Sequence, residues 1–208
     1  SIGASLAAVD ACMGALAALH HRERTGAGQV VDAAIYESVL NMMESQVTEY
    51  DQLGHVRERS GPILPRIAPS NVYPTRDGIV MIGANQDTVF ARLCEAMQSP
   101  ALARDPRYRD HSSRGVNQRE LDDAIAAWSA TLGTGELLDL LERHGVPSGL
   151  IYRAADMLAD PHFAAREAIV STPHPHFGSL RMQNVAPRLS ASPGPIRSPA
   201  PEIGQDNN

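Results

Sequence analysis

Few side chains in this sequence stand in a pattern that could carry a reaction. Asp10 is a carboxylate inside a run of alanines, leucines and valines. An acid held among apolar groups resists ionisation, which raises its pKa and is one way a general acid or base is made. The plainer reading sets Asp10 against a polar interface or an arginine, and it is preferred here. His174-Pro175-His176 offers two imidazoles to a metal, but no third ligand stands at a supporting spacing and the prolines favour an exposed turn. His20 and His21 close a helix, where imidazolium complements the dipole. Gly26-Ala27-Gly28 has the look of phosphate-cradling glycines, yet it precedes a predicted strand instead of following one, and Val31 occupies the third glycine's place. No GxSxG elbow is present, which weakens a serine hydrolase reading. All 18 basic residues are arginine. Without lysine these residues supply no Schiff base, no pyridoxal phosphate anchor and no Walker A lysine.

The composition narrows the class further. With 208 residues, 43% hydrophobic and 20% charged, the chain can bury a core and fits one large or two small domains. A net charge of −6 and interspersed arginines and acids give no basic face, so nucleic acid is excluded as a partner. Cys12 and Cys94 lie in apolar helical settings without ligand-like spacing and read as buried free thiols, in keeping with a reducing cytoplasm. The apolar run from Leu6 to Leu19 is shorter than the ~20 residues of a membrane span, contains Asp10 and has no basic leader. It is expected to be neither a transmembrane helix nor a signal peptide.

The elements that would position these groups follow from periodicity. A helix is predicted from Ser5 to about His21, with Leu6, Val9, Cys12, Met13, Leu16 and Leu19 facing almost every direction, so it should be buried. Gly28–Ile35 (GQVVDAAI) reads as a short strand and Tyr36–Gly54 as the next helix, an α/β rhythm. From His55 to Pro74, one glycine and four prolines punctuate a linker or binding loop. A strand is predicted at GIVMIGA, helices near 86–98, 118–132 and 135–144, and a strand at VPSGLIYR. Asp105-Pro106 and Asp160-Pro161 share the chemistry of a helix start, with aspartate as cap and proline in the first turn. Two short strands should flank Phe177-Gly178-Ser179, and an extended or frayed tail should begin near Ser192.

Several stretches together resemble the class III CoA-transferases, the CaiB/BaiF family, which includes formyl-CoA transferase and α-methylacyl-CoA racemase. They are GALAALHHRERTGAGQVVDAAIYESVLNMME, RIAPSNVYPTRDGIVMIGANQDTVFARL, LARDPRYRD, RGVNQRELDDAI and HGVPSGLIYRAADMLADPHFAARE, in family order over nearly the whole chain. The resemblance implies an α/β fold: a large Rossmann-like domain with a parallel sheet, a smaller α+β domain, and an interlocked dimer. It divides this chain into 1–55 (part of the large domain), 56–72 (linker), 73–165 (small domain) and 166–208 (return to the large domain and tail). The family's N-terminal portion, with several strands and much of the CoA pocket, is expected to be missing. Coenzyme A is implied as a substrate, with no covalently bound cofactor and no metal. The implied partners are an acyl-CoA and a small carboxylic acid, together with a homodimer mate or the missing portion, and no nucleic acid or membrane.

The family's transferases use an aspartate as nucleophile, forming a mixed anhydride and then an aspartyl-CoA thioester, and the racemases use one as acid/base. The resemblance puts that aspartate in a Gly-Asp-Ser-like step ten residues before Gly14, which here reads Gly3-Ala4-Ser5. Ala4 has no nucleophilic group. A knockout substitution, a natural non-catalytic variant and a misplaced match are the three explanations. Asp10 is an unsuitable substitute, since six residues of helix rise ~9 Å. Gly3, Ser5 and Ile35 take CoA-binding positions by the same resemblance. Gly61, Arg66 and Ile67 take substrate-binding positions in a loop, GPILPRI, that has one glycine where the family has several and should be stiffer. Arg66 is the candidate clamp for a substrate carboxylate, because a guanidinium pairs with it through two hydrogen bonds. The implied function is CoA transfer between an acyl-CoA and a small acid, inactive through Ala4. The alternatives are an α-methylacyl-CoA racemase, and a non-catalytic dimerisation or binding module with weak CoA affinity or none.

Overall fold

The computed structural model describes residues 2–205 and Asn207. The chain divides into two compact units, Ser1–Gly61 and Pro62–Asn208.

In the first unit the opening helix, α1, spans Ile2–Thr25, longer at both ends than its apolar run. Arg22 and Arg24 oppose the dipole in its last turn, the Thr25 hydroxyl donates to the His21 carbonyl at 2.9 Å, and Gly26 exits with φ +76°. The expectation that α1 is buried is corrected: Ala7 is its one buried residue among those described, while Leu16 is 63% and Val9 56% exposed. Cys12 is exposed as well, against expectation, and Cys94 is buried, its thiol pushed up to about 11 by burial. At 24 residues α1 is also long and apolar enough, by length and composition alone, to cross a membrane, which the shorter predicted run was not.

The predicted strand at Gly28–Ile35 does not form. Residues 27–34 are irregular and Val30 is 92% exposed, because no described strand lies alongside to take up the backbone N–H and C=O groups that pairing requires. The following helix is broken in two, α2 at Ile35–Asn41 and α3 at Gln46–Leu53. The Met42 and Met43 amides turn back to Val39 and Leu40, three residues earlier, and Glu44 takes φ +53°. α2 and the segment before it lie close on α1 because two of its positions lack side chains. A Cβ on Gly3 would stand 3.1 Å from methyls of Ile35 and Val39, and one on Gly14 would stand 2.7 Å from Val31.

The second unit is built on a three-stranded antiparallel sheet, β1 (Ser70–Pro74), β2 (Ile79–Gly83) and β3 (Ser148–Leu150), in that order. β1 corrects the reading of His55–Pro74 as loop throughout. Thr75–Gly78 closes the β1–β2 hairpin through a 2.9 Å amide–carbonyl bond. Alternation then sorts the strand: Val80 and Ile82 are fully buried, Ile79 and Met81 exposed. Helices α4 (Asp87–Ala96), α5 (Pro100–Arg104), α6 (His111–Val116), α7 (Gln118–Ser129) and α8 (Thr134–Arg143) accompany the sheet. Leu121 and Ile125 of α7 and Leu137 and Leu141 of α8 are four apart, hence on one face, and join Tyr73, Val80, Ile82 and Leu93 in the core. The two Asp-Pro steps behave as predicted. Asp105 accepts from the Arg107 amide at the 3-10 turn Pro106–Tyr108, and Asp160 accepts from His162 and Phe163 at α10 (Pro161–Ala165), which follows α9 (Ala154–Ala159). β4 (Ile169–His174) and β5 (Gly178–Gln183) form an antiparallel hairpin at the predicted turn, with Gly178 at φ +68°. The described residues after Ser192 form neither helix nor strand. The class is mixed α/β, as expected, and every described strand pair is antiparallel.

One buried polar group ties α7 to β1. Asp122 accepts from the Tyr73 hydroxyl at 2.5 Å and from the Asn71 amide at 3.0 Å. Burial pushes its carboxyl above the ordinary range, although both hydrogen bonds oppose the shift. Tyr73→Phe deletes the hydroxyl and leaves a buried carboxylate oxygen short of a donor, so it should cost roughly 1.5–3 kcal/mol in urea unfolding. A carboxyl whose folded pKa is raised stabilises the fold below its unfolded pKa, and this contribution falls as pH rises through the folded value. The stability of the unsubstituted protein relative to Asp122→Asn should therefore fall as pH rises above the ordinary carboxylate range. An unchanged difference would remove Asp122 from the linkage.

Candidate functional site

Two groups of predicted site residues have a defined geometry, one in the first unit and one, Arg66 and Ile67, in the second, with Gly61 the last residue of the first unit. In the first unit Gly3, Ala4 and Ser5 occupy the first turn of α1, and Ile35 opens α2. The structure brings Gly3 and Ile35 together, since glycine at position 3 is what admits the Ile35 methyl at 3.1 Å. Ala4 and Ser5 are exposed, and Ile35 is half-exposed. Asp10 is half-buried farther along the same helix. α1 thus holds residue 4 at a fixed place on a rigid element, with a methyl group facing outward. Two concavities of the molecule lie away from it, one beside the β4–β5 turn and one beside Arg188.

The second group lies on the segment leading into β1. Gly61, at φ +70°, makes the turn that opens the loop, and this conformation is open to glycine without strain. The Ile67 amide donates to the Leu64 carbonyl at 3.1 Å, closing a tight turn around Pro65 and Arg66. Arg66 sits in that turn at φ +67°, which a side chain rarely adopts. It is exposed, and its guanidinium has no acidic partner among the described residues; Ile67 is half-buried. Gln118, at the start of α7, holds the turn from beneath. Its side-chain oxygen accepts from the Arg66 amide at 3.0 Å, while its nitrogen donates to the carbonyls of Leu64 at 3.2 Å and Ile67 at 3.4 Å. One residue on from Ile67, the Ala68 carbonyl accepts from the buried Arg114 guanidinium.

Sequence reasoning missed Arg114, Gly115 and Gln118 as parts of this arrangement. They were visible in RGVNQRELDDAI, but a glutamine four residues after an arginine at a helix start carries no chemical signature of its own. At the histidine pair, His176 contacts Glu202 through Nε2, and among the described residues no group of three or more His, Cys, Asp or Glu is gathered as metal ligands. The candidate coenzyme A positions Gly3, Ser5 and Ile35 lie on α1 and α2, and their own side chains are small or apolar.

A family model described as CoA-transferase family III matches residues 1–207. The succinyl-CoA–D-citramalate CoA-transferase of Chloroflexus aurantiacus is 54% identical over all of this chain, which covers 52% of that protein. The succinyl-CoA:mesaconate CoA-transferase of Haloarcula hispanica is 41% identical over 84% of this chain and 43% of its own length. Among solved structures, a CaiB/BaiF family protein from Brucella suis superposes with a TM-score of 0.71 at 28% identity, covering 90% of this chain and 48% of that one. The chain spans about half the length of the relatives it matches. With a family match running from one end to the other, and with the order of helices and strands found in a solved relative, this chain belongs to CoA-transferase family III.

Proposed function

We propose that the protein carrying these residues is built for CoA transfer between a dicarboxylic acyl-CoA and a small di- or hydroxydicarboxylic acid, and that Ala4 leaves it without the nucleophile. The observation that carries the acyl class is the 54% identity, unbroken over 208 residues, to a protein named for succinyl-CoA and D-citramalate. A second relative named for succinyl-CoA and mesaconate supports the same class. The unpaired Arg66 guanidinium suits an acid that keeps a free carboxylate while its other end is a thioester.

In the proposed reaction an aspartate at position 4 attacks the thioester carbonyl, the C–S bond breaks and CoA leaves as thiolate, giving a mixed anhydride. The thiolate then attacks the aspartyl carbonyl of the anhydride, releasing the donor acid and forming an aspartyl-CoA thioester. The acceptor carboxylate attacks that thioester, and the liberated thiolate closes on the new acyl group, regenerating the aspartate. Each step exchanges one acyl–oxygen or acyl–sulfur bond for another, so no oxidant, reductant or metal enters. A methyl group at residue 4 can make none of these bonds. The long exposed apolar side of α1, including Val9, Met13 and Leu16, suits a helix covered by more chain of the same fold, whether the rest of a subunit or a second copy.

The test compares the unsubstituted protein with Ala4→Asp, each incubated with succinyl-CoA and citramalate, by chromatography of the CoA esters. Ala4→Asp should raise exchange by roughly 10⁴-fold or more, and its residue-4 peptide should carry CoA after quenching. Equal rates in the two proteins would remove residue 4 from the chemistry. Absence of exchange together with α-proton exchange on a 2-methylacyl-CoA would move the assignment to the racemase reaction.

A further inference from the structure

Among the described residues, four other than glycine have positive φ: Glu44, Arg66, Gln98 and Glu167. Gln98 and Glu167 stand one residue past the C-caps of α4 and α10, where a left-handed residue is the ordinary way to end a helix, and Glu44 lies in the turn between α2 and α3. Arg66 has no helix end to explain it. Its conformation is imposed from about 50 residues away in sequence. Gln118 bonds the turn at three points, with |i−j| of 52, 54 and 51. Gly115 presses against the same turn: a Cβ there would stand 2.5 Å from the Arg66 carbonyl oxygen and 3.0 Å from its carbon. Contact that close is backbone on backbone and cannot be relieved by turning a side chain. Arg114 fastens the next carbonyl, that of Ala68, at 3.2 Å.

The side chain so held is an arginine, exposed and without an acidic partner among the described residues, although a left-handed turn would be cheaper with glycine or asparagine. A strained backbone fixed by several independent contacts, with a charged group aimed outward, is the arrangement expected of a pre-positioned binding group. We infer that Gln118 and Gly115 form a clamp that sets the Arg66 turn, and that the turn presents the guanidinium to the free carboxylate of a dicarboxylate ligand. Gln118 is the positioning residue and Arg66 the ligand-binding one. This deepens the proposed function and shares its substrate class, but it requires only binding of an acid, not transfer of CoA.

The experiment is titration of the protein with succinate by calorimetry, with the neutral diamide, succinamide, as control, alongside hydrogen exchange of the Arg66 amide. The unsubstituted protein should bind succinate and not succinamide, and the Arg66 amide should be protected. Arg66→Gln and Gln118→Ala should each weaken succinate binding about tenfold or more. Gln118→Ala should also release the Arg66 amide while the Leu121 and Ile125 amides stay protected, which separates loss of position from loss of fold. Gln118→Glu keeps the acceptor for the Arg66 amide and should restore its protection and part of the affinity. Failure of the unsubstituted protein to bind succinate overturns the inference, as does full affinity in Gln118→Ala. If succinate binds as described but Ala4→Asp transfers no CoA, the reaction assignment falls and the clamp stands.

Discussion

The second unit depends on one buried cation. Arg114 is fully buried, and a guanidinium out of water is tolerable only when its N–H groups all find acceptors. Nε donates to the Ala68 carbonyl and Nη1 to Tyr108, both at 3.2 Å, while Nη2 reaches the Asn85 carbonyl at 2.8 Å and the Asp87 carboxylate at 2.6 Å. Its carbon lies 4.7 Å from the centre of the Phe90 ring, so the flat face is covered as well. The four partners belong to three separate pieces of chain: the approach to β1, the 3-10 turn, and the short link that runs from the end of β2 into α4. One side chain therefore fixes the places where the sheet meets its helices. A lysine could not do this, since a single ammonium cannot reach four divergent acceptors around a plane. The arginine-only composition of the chain has a structural consequence at this residue.

The same constraint reaches the candidate site. Arg114 and Gly115 lie in α6 and Gln118 opens α7 just past Asn117, so the step between the two helices that buries the guanidinium also delivers the glycine and the amide to the Arg66 turn. The loop is held by groups that the core already requires to be in place. Stiffness there does not come from the lack of glycines alone. It comes from three hydrogen bonds and a close backbone contact supplied by α6 and α7.

What the sequence made legible follows the range of the interaction. The Asp-Pro caps, the hairpin at Gly178 and the alternation of Val80 and Ile82 are set within a few residues, and each was readable. The strand predicted at Gly28–Ile35 failed because β structure needs a neighbour, and branched residues alone supply none. The single helix predicted after it failed at Met42–Ser45, where two three-residue backbone bonds replace the α pattern without any proline or glycine to mark the break. Burial of α1 was expected from its apolar residues, yet burial belongs to the surroundings of a helix as much as to its sequence; α2 covers little of it. At the candidate site, Arg66 and Gly61 entered through the loop's resemblance to that of the family, whereas the Gln118 contact spans 52 residues of chain and leaves no local trace.

The contrast between residue 4 and residue 115 bears on what the proposed loss of the nucleophile costs the fold. Ala4 is exposed on a helix, and alanine is the best helix former, so exchanging a carboxylate for a methyl there removes no packing and breaks no hydrogen bond of the fold. Gly115 has no such freedom: any side chain would enter the space of the Arg66 carbonyl at 2.5 Å. On the proposed reading, the atom that forms bonds with substrate is the one the structure can lose at no cost, and the groups that orient substrate are the ones it cannot lose without moving its core. Binding of a dicarboxylate should then outlast catalysis when residue 4 changes. The retained loop is thus a statement about packing first and about chemistry second.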